Sequence, residues 1–290
     1  MKPSFAVVGC GRVGTAFSRY LAGAGYRPAG FSSRRPESAR DAATLAGAPD
    51  KWFAEAWDAA RTADILLITT PDGVIAETCR EIAKNGGIRK DSVVLHCSGM
   101  LPSTILAAVA DCGAKIGSMH PLQSFAARQY TDNPFAGIMM AVEGDAAAIE
   151  AARMMAEDLG ATPFVIRTDG KTLYHASAVA ASNYLATLMA VAVKLMAASG
   201  APEKDAFQIL KPLVMGTLGN IETLGAADAL TGPIARGDVD TVAAHLTAIG
   251  NLSADMLKFY KQLGRATVPL ARSKGTLSEE AARRLLEMLA

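Results

Sequence analysis

The sequence predicts an α/β fold in which a doubly wound Rossmann domain is followed by an all-α domain. Three observations lead to this fold class. Short apolar runs alternate with amphipathic segments through the first half of the 290-residue chain. A glycine-rich turn follows the first of these runs directly. After residue 166 the strand pattern stops, and the rest of the sequence has a helical pattern.

Seven apolar runs in the first half predict the strands. Continuous apolar strands separated by helices are typical of a parallel sheet that is covered on both faces. The runs lie at residues 5–8, 29–31, 65–68, 93–95, 116–118, 138–142 and 163–166. Helical segments between them include residues 13–22, 74–84 and 146–159.

The second half predicts a helical substrate and dimerisation domain. The domain boundary is expected at Arg167, which gives domains 1–167 and 168–290. The helix at 173–198 is apolar on nearly every side, which predicts a homodimer formed through this half. Residues 176–193 carry no charge, but they are mostly Ala, Ser, Thr and Asn, which favours a buried helix over a membrane span. The remaining helices are expected at residues 203–224, 239–249, 252–272 and 278–289.

The charge and cysteine content exclude several classes of partner. With 29 Lys and Arg against 28 Asp and Glu, the net charge of +1 creates no field that would attract nucleic acid or an anionic membrane. The four cysteines show no paired spacing, and the first apolar run is too short for a secretion signal. We therefore expect a reduced, cytoplasmic protein that acts on a small molecule.

The most informative motif is Gly9-Cys10-Gly11-Arg12-Val13-Gly14, a GxGxxG that lies between the first strand and a helix. Gly9 permits the tight turn, Gly11 lets the backbone approach a pyrophosphate, and Gly14 lets the helix pack on the strand. The start of the helix, with Arg12 and Val13, then faces the phosphates. The motif predicts dinucleotide binding.

The end of the second strand predicts NADP as the dinucleotide. An NAD site would place a carboxylate there to bind the ribose hydroxyls. This chain has Ser32-Ser33-Arg34-Arg35 instead. Hydroxyls and a guanidinium can donate to a 2′-phosphate, which a carboxylate would repel. The alternative is that the arginines belong to a solvated loop.

The ends of three later strands carry candidate ligand-binding residues. Thr70 and Pro71 follow the third of the predicted strands and should contact the cofactor, because ligands lie at the carboxyl edge of a parallel sheet. Ser98 and His120 follow the next two strands and are candidates to orient a substrate. A purely structural role for the histidines remains an equal alternative.

A zinc site built from His96, Cys97 and His120 is conceivable but is not expected. His96 and Cys97 are adjacent in one turn, so both side chains cannot easily reach one metal ion. No metal is therefore predicted.

The first helix of the second half carries polar groups among alanines. Lys171, His175 and either Ser182 or Asn183 should share one face of a continuous helix. Polar side chains in so apolar a helix need partners, and a cleft beside the nicotinamide would supply them for Lys171, His175 and Asn183. We expect Lys171 to act as general acid and base, since burial can bring a lysine pKa toward neutrality, and His175 to orient the substrate. Alternatively, Lys171 caps the helix in solvent, His175 pairs with a carbonyl, and Asn183 fixes helix packing.

These features together resemble the superfamily of 6-phosphogluconate dehydrogenase, β-hydroxyacid dehydrogenases, ketopantoate reductase and pyrroline-5-carboxylate reductase. The resemblance implies a helical domain like the C-terminal domain of 6-phosphogluconate dehydrogenase. More narrowly, the chain is similar to a bacterial two-domain family with a Rossmann-like domain and a helical domain of unknown function, often labelled NADP oxidoreductases or deazaflavin-dependent reductases. The three motifs that carry this similarity lie at residues 120–125, 174–176 and 230–238.

One position departs from the wider superfamily. In β-hydroxyacid dehydrogenases an asparagine follows the helix lysine by four residues, whereas His175 stands there in this chain. A histidine can still donate to an oxygen. In the third motif, Asp238 is expected to cap a helix, with Arg236 at a substrate or subunit contact.

The expected function is an NADP-dependent oxidoreductase that transfers a hydride between nicotinamide and a carbonyl or imine carbon. Two other interpretations remain open at this point. One is a non-catalytic NADP sensor or partner-binding protein. The other is an enzyme whose acceptor is a deazaflavin.

Overall fold

The computed structural model describes residues 1–125 and 131–290. The chain divides into two compact units, Met1–Ala180 and Ala181–Ala290. This division falls later than the boundary expected at Arg167. The physical reason is the buried ammonium of Lys171, which hydrogen-bonds to Ser98 and Ser118 and so ties the following helical turns to the first unit.

The first unit is built on a mixed sheet. Within the described residues its strands are β1 (Ser4–Val8), β2 (Arg27–Ser32), β3 (Trp52–Phe53), β4 (Ile65–Ile68), β5 (Val93–His96), β6 (Lys115–Pro121), β7 (Met139–Gly144) and β8 (Thr162–Val165). Their order across the sheet is β3-β2-β1-β4-β5-β6-β7-β8. All seven predicted strands are present, and the two-residue β3 is an addition.

The strand directions differ from the expectation in one respect. β1 to β6 pair in parallel, but β7 runs antiparallel to β6, with Met119 opposite Val142. β8 is parallel to β7. The chain reaches β7 from β6 without a crossover helix between described elements, so the strand can return beside its neighbour. The prediction of a wholly parallel sheet was therefore wrong for its last two strands.

Helices cover both faces of this sheet. Phe5 and Val7 of β1 pack into one core, whereas Ala6 and Val8 pack into a second core on the opposite face. The described helices of this unit are α1 (Arg12–Gly23), α2 (Pro36–Leu45), α3 (Ala56–Ala60), α4 (Asp72–Lys84), α5 (Ala107–Ala110), α6 (Ala146–Asp158) and α7 (Lys171–Val179). α1, α2 and α6 contribute to the first core, and α3, α4 and α5 to the second. The doubly wound architecture is confirmed.

The second unit is helical throughout. Its described helices are α8 (Leu185–Ala198), α9 (Glu203–Ala229), α10 (Pro233–Arg236), α11 (Val239–Leu252), α12 (Ala254–Ser273) and α13 (Glu279–Met288). A small core that includes Val242, Val268 and Leu285 lies among the last of these helices. Asp238 caps α11, because its carboxylate accepts from the amide and hydroxyl of Thr241. The predicted capping role of Asp238 is confirmed.

The longest apolar stretch of the chain is poorly covered within the monomer. Residues 168–198 form one helical stretch that is long and apolar enough to span a membrane, and none of its most apolar window is buried. α8 itself has no buried residue. The buried helix expected from the sequence is therefore not buried by this chain alone.

Candidate functional site

The turn between β1 and α1 has a backbone geometry that its glycines make possible. Gly9 has a φ of +103°, and a β-carbon there would lie 2.6 Å from the amide nitrogen of Thr70. A β-carbon on Gly14 would collide with the carbonyl oxygen of Gly9. A β-carbon on Gly11 would meet nothing within 4 Å, so the space beside Gly11 is open. The three glycines thus have the geometry expected of a dinucleotide-binding turn.

The start of α1 leaves an anion site beside this open space. Gly11 is the N-cap of the helix, and no described side chain caps its first amides or places a negative charge in its first turn. Arg12 is exposed and donates to the carbonyl of Phe125 at 3.5 Å, while Val13 is half-buried. Uncapped amides at a helix N-terminus bind phosphate. The turn therefore fits a pyrophosphate.

The three residues at the end of β2 differ in their exposure and in their contacts. The hydroxyl of Ser32 is buried and donates to the carbonyl of Ala54. Its own carbonyl accepts from the amide of Gly9 at 2.8 Å. Ser32 therefore supports the turn. The prediction that its hydroxyl donates to a phosphate was wrong, because that hydroxyl already donates to Ala54. Ser33 is half-exposed and Arg34 is exposed, so both remain available to a ligand.

The end of β4 contributes a polar atom that lacks a partner. The hydroxyl oxygen of Thr70 is buried and makes no hydrogen bond to any described residue. Thr69 donates to the carbonyl of Gly9 at 2.7 Å, and Pro71 is the N-cap of α4. A buried polar group without a partner is costly unless a ligand or water satisfies it. Thr70 thus fits a cofactor contact at this edge.

Lys171 of α7 and Glu143 of β7 form a buried ion pair. Lys171 is 1% exposed, and its Nζ donates to the carbonyl of Ser98 at 2.7 Å and to the hydroxyl of Ser118 at 2.5 Å. The same nitrogen lies 3.7 Å from Oε1 of Glu143, which is also 1% exposed. The ammonium therefore makes two hydrogen bonds inside the protein and a buried ion pair with Glu143.

Glu143 is held in its charged form by a shell of donors. One oxygen accepts from the amide of Ser103 and the hydroxyl of Ser118, and the other accepts from the hydroxyls of Ser103 and Thr168. Burial raises the pKa of Glu143, but these hydrogen bonds and the Lys171 charge together hold it below the usual range. Burial lowers the pKa of Lys171 to about 8, opposed by Glu143.

This geometry argues against the proton-donating role expected for Lys171. A general acid must reach the substrate directly or through one water. The ammonium of Lys171 is directed instead at Ser98, Ser118 and Glu143. The lysine is an anchor that ties α7 to the turn after β5, to the middle of β6 and to Glu143 of β7.

The side chain of Ser98 also serves the local structure. Its hydroxyl donates to Asp72 at 2.8 Å and accepts from the amides of Met100 and Leu101. These partners use the donor and most of the acceptor capacity of the hydroxyl. Ser98 therefore shapes the turn, and the substrate-orienting role expected for its hydroxyl is not supported.

Two histidines meet over the glycine that follows Ser98. A β-carbon on Gly99 would lie 2.7 Å from Cδ2 of His175 and 2.9 Å from Nε2 of His120. Nδ1 of His120 is 2.7 Å from the hydroxyl of Tyr174. The structure thus brings together the predicted residues His120 and His175, and it adds Tyr174 and Gly99 to them.

The neighbouring His96 is buried and Cys97 is half-buried, and both side chains are neutral. Nδ1 of His96 accepts from the amide of Ser98, and burial and the Lys171 charge lower the His96 pKa to about 4. Burial raises the pKa of the Cys97 thiol to about 12. Among residues 1–125 and 131–290, no group of three or more histidine, cysteine or acidic side chains could hold a metal ion.

Asn183 belongs to the second compact unit, whereas His120 and His175 belong to the first. Asn183 lies in a π-helical segment, Ala180–Tyr184, and it is exposed, as is Ser182. A π-turn has more residues per turn than an α-helix, so the regular spacing that would align Asn183 with Lys171 and His175 is interrupted. The prediction of a continuous α-helix over residues 173–198 was therefore wrong at residues 180–184.

Sequence reasoning missed Glu143 and Tyr174 as members of the site. A carboxylate that directly follows the apolar run 138–142 was a signal, because an acid within a buried strand needs a partner. Tyr174 was visible only within a motif. The pairing of Tyr174 with His120 depends on contact between β6 and α7.

Comparison with protein families assigns both halves of the chain. Residues 2–121 match the Rossmann-like domain, and residues 138–267 match a domain of unknown function, DUF2520. The chain is a Rossmann-like domain followed by a DUF2520 domain. The resemblance to a two-domain family of this composition is confirmed. No curated protein matches the chain in sequence.

Solved structures share the fold over nearly the whole DUF2520-containing chain. A "putative NADP oxidoreductase" from Bacteroides fragilis is 22% identical with a TM-score of 0.71, covering 94% of this chain and 98% of its own. A Thermotoga maritima protein is 24% identical with a TM-score of 0.69, covering 93% and 99%. A reductive aminase from Aspergillus terreus, solved in complex with NADPH4, cyclohexanone and allyl amine, is 15% identical with a TM-score of 0.63, covering 100% and 93%. At these identities the similarity shows the fold.

Proposed function

We propose that the protein is an NADP-dependent reductase that acts on a carbonyl or imine carbon of a small metabolite. The observation that carries this proposal is the arrangement of one sheet edge in the first unit. The carboxyl ends of β1 and β4 carry an uncapped helix start and an unpartnered hydroxyl. Beside them, Gly99 of the turn after β5 meets His120 of β6 and His175 of α7. Dinucleotides bind across this edge where the strand order reverses, here between β1 and β4.

The chain's own residues fit this cofactor. The pyrophosphate would bind to the turn at Gly9 and Gly11 and to the first amides of α1. The buried hydroxyl of Thr70 would make its hydrogen bond to the cofactor. Ser33 and Arg34 would donate to the 2′-phosphate. When bound, NADP supplies or accepts the hydride.

The buried ion pair would keep the substrate end of this edge rigid. Lys171 holds the carbonyl of Ser98, and Glu143 holds Lys171. The turn that contains Gly99 is therefore fixed against two histidine rings. Rigid support of this kind positions the side chains that contact a substrate.

The cofactor preference tests the proposal directly. We expect NADP to bind at least about tenfold more tightly than NAD, since a charged hydrogen bond contributes about 1.5–3 kcal/mol. Titration calorimetry with each dinucleotide measures the ratio. Equal affinities, or no binding of either, would contradict the proposed cofactor.

Turnover then separates a reductase from a non-catalytic sensor. NADPH oxidation is followed by absorbance with small ketones, aldehydes and cyclic imines, each compound tested separately. Tight NADPH binding without oxidation by any compound would favour the sensor.

We also propose a homodimer through the second unit. Large apolar side chains on α8 and α9 are exposed in the monomer, including Leu213 at 70% and Met215 at 58%. Such a surface is usually covered by a partner. The same contact would cover the apolar window within residues 168–198 without a membrane. Light scattering should give about twice the 30.2 kDa monomer mass, and a monomer at micromolar concentration would refute the proposal.

A further inference from the structure

The contact between His120 and Tyr174 carries an inference about how the substrate oxygen is recognised. The hydroxyl of Tyr174 lies 2.7 Å from Nδ1 of His120. The two rings meet edge to face, with centroids 5.6 Å apart. Among the described residues, Nε2 of His120 makes no hydrogen bond. The two nitrogens of the ring are therefore in different surroundings.

The chemistry of the pair decides which nitrogen carries the proton. A phenol is a stronger acid than a neutral imidazole N–H, and an imidazole nitrogen is a stronger base than a phenol oxygen. The stronger hydrogen bond therefore runs from the Tyr174 hydroxyl to Nδ1. The separation of 2.7 Å is typical of a hydroxyl donor and shorter than the usual N–H···O distance. With Nδ1 as acceptor, the proton of the neutral ring lies on Nε2.

Both partners stay neutral at physiological pH. Burial, followed by the charges of Lys171 and His175, lowers the His120 pKa to about 4. Burial raises the Tyr174 pKa to about 12. The ring therefore offers a neutral N–H rather than an imidazolium, and the phenol keeps its proton for Nδ1.

The position of Nε2 points to the sheet edge. A β-carbon on Gly99 would lie 2.9 Å from this nitrogen, so only the missing side chain leaves room for the ring edge. His120 is half-exposed, as is His175 on the far side of the same space. The N–H of His120 thus lies beside the turn that ends β5, on the edge where the proposed function places the substrate.

We propose that His120 donates its Nε2 hydrogen to the carbonyl oxygen of the substrate and that Tyr174 is the positioning residue that holds the ring in this tautomer. This inference rests on the proposed function and narrows its substrate class to ketones or aldehydes. A protonated imine, the form that accepts hydride readily, has no lone pair for an N–H donor. A carbonyl oxygen gains charge during hydride addition, and a preformed donor stabilises that charge.

The proton transfers of this step involve the substrate oxygen, His120 and Tyr174. When bound, the reduced nicotinamide of the proposed function would supply a hydride to the carbonyl carbon, and the C–O π electrons would move to the oxygen. The oxygen takes the proton from Nε2 of His120 while the Tyr174 hydroxyl returns a proton to Nδ1. The product is an alcohol, and once it has left, solvent gives a proton to Nε2 of the half-exposed His120 while Nδ1 returns its proton to the Tyr174 oxygen, so the starting tautomer is restored.

The location of the proton is measured without turnover. The protein has four histidines, so their ring nitrogens can be resolved by nitrogen-15 NMR, with His120→Gln to assign the signals. We expect Nδ1 of His120 to be unprotonated and Nε2 to carry hydrogen from pH 5.5 to 8. A proton on Nδ1 in the wild-type protein would overturn the inference.

The role of Tyr174 has a matched control. Tyr260 forms a similar pair with His245 in the second unit, with 2.8 Å between its hydroxyl and Nδ1. Tyr174→Phe should give His120 a measurable Nδ1–H population, and Tyr260→Phe should leave the His120 signals unchanged. Unchanged His120 signals in Tyr174→Phe would overturn the positioning role.

Turnover adds the substrate class. With NADPH, we expect reduction of cyclohexanone to exceed that of 1-pyrroline, and Tyr174→Phe to lower kcat for the ketone about tenfold, the equivalent of one neutral hydrogen bond, at unchanged NADPH affinity. Faster reduction of 1-pyrroline would overturn the carbonyl assignment. If neither compound, nor any other carbonyl or imine, oxidises NADPH, the proposed function fails and the donor role of His120 fails with it, whereas the NMR result still decides the tautomer.

Discussion

Removal of the Lys171 charge should destabilise the first unit because it leaves a buried carboxylate without its cation. Lys171→Met keeps the length of the side chain and removes the ammonium that contacts Ser98, Ser118 and Glu143. Breaking a buried ion pair on one side costs about 3–5 kcal/mol. Glu143 keeps its four donors from Ser103, Ser118 and Thr168, so we expect about 3 kcal/mol, the low end of this range.

A double-mutant cycle isolates the pair itself. Glu143→Gln alone leaves Lys171 buried without its anion and should cost about 2–3 kcal/mol. The double variant Lys171→Met/Glu143→Gln leaves no buried charge, so its cost should be about 2 kcal/mol less than the sum of the single costs. Guanidinium unfolding at pH 7, followed by circular dichroism, measures each free energy of unfolding.

The exposed pair of Arg61 and Asp58 provides the control cycle. Its charges lie 3.3 Å apart on the surface, where solvent screens them, so Arg61→Met and Asp58→Asn should show no measurable coupling. Additive effects of Lys171→Met and Glu143→Gln would refute the reasoning, as would a loss below about 1 kcal/mol for Lys171→Met.

The remaining predictions concern the cofactor turn, the dinucleotide preference and the histidine cluster. Gly9→Ala should lower the free energy of unfolding by about 2 kcal/mol or more and abolish NADP binding in calorimetry, since the new β-carbon would meet the backbone of Thr69 and Thr70. Gly47→Ala is the control for the φ strain alone, because Gly47 also has a positive φ but has open space around its β-carbon. Arg34→Asp should erase or reverse the preference for NADP over NAD, and retention of the wild-type ratio would show that Arg34 does not contact the 2′-phosphate. Gly99→Ala should displace the rings of His120 and His175, visible as shifted ring signals in NMR, with NADP affinity changed less than about threefold; unmoved ring signals would contradict the packing described at Gly99.

The strand pattern and the glycine turn were predictable because they depend on local properties of the chain. A buried strand such as β4 needs an uninterrupted apolar run, and that run is visible at residues 65–68. Gly9 needs a positive φ that other residues avoid, so the motif marks its own backbone conformation. Asp238 caps α11 through Thr241, three residues away, and this contact is equally local.

The direction of β7 and the environment of each site residue were decided by tertiary structure. An apolar run has the same appearance whether the strand is parallel or antiparallel to its neighbour, so the reversal at β7 depends on pairing alone. The sequence identified Lys171 as a polar residue in need of partners, but Glu143 supplies that partnership from another strand. The role of Lys171 changes accordingly from proton donor to anchor.

The same distinction applies to the histidines. The sequence by itself placed His120 near the carboxyl end of a strand, although the structure extends that strand, β6, to Pro121 and so includes His120 in it. Only the tertiary structure brought Tyr174 to Nδ1 and the ring edge over Gly99. Protonation state and tautomer depend on burial and on the atoms within hydrogen-bond distance, and in this protein those atoms belong to residues far apart in the chain.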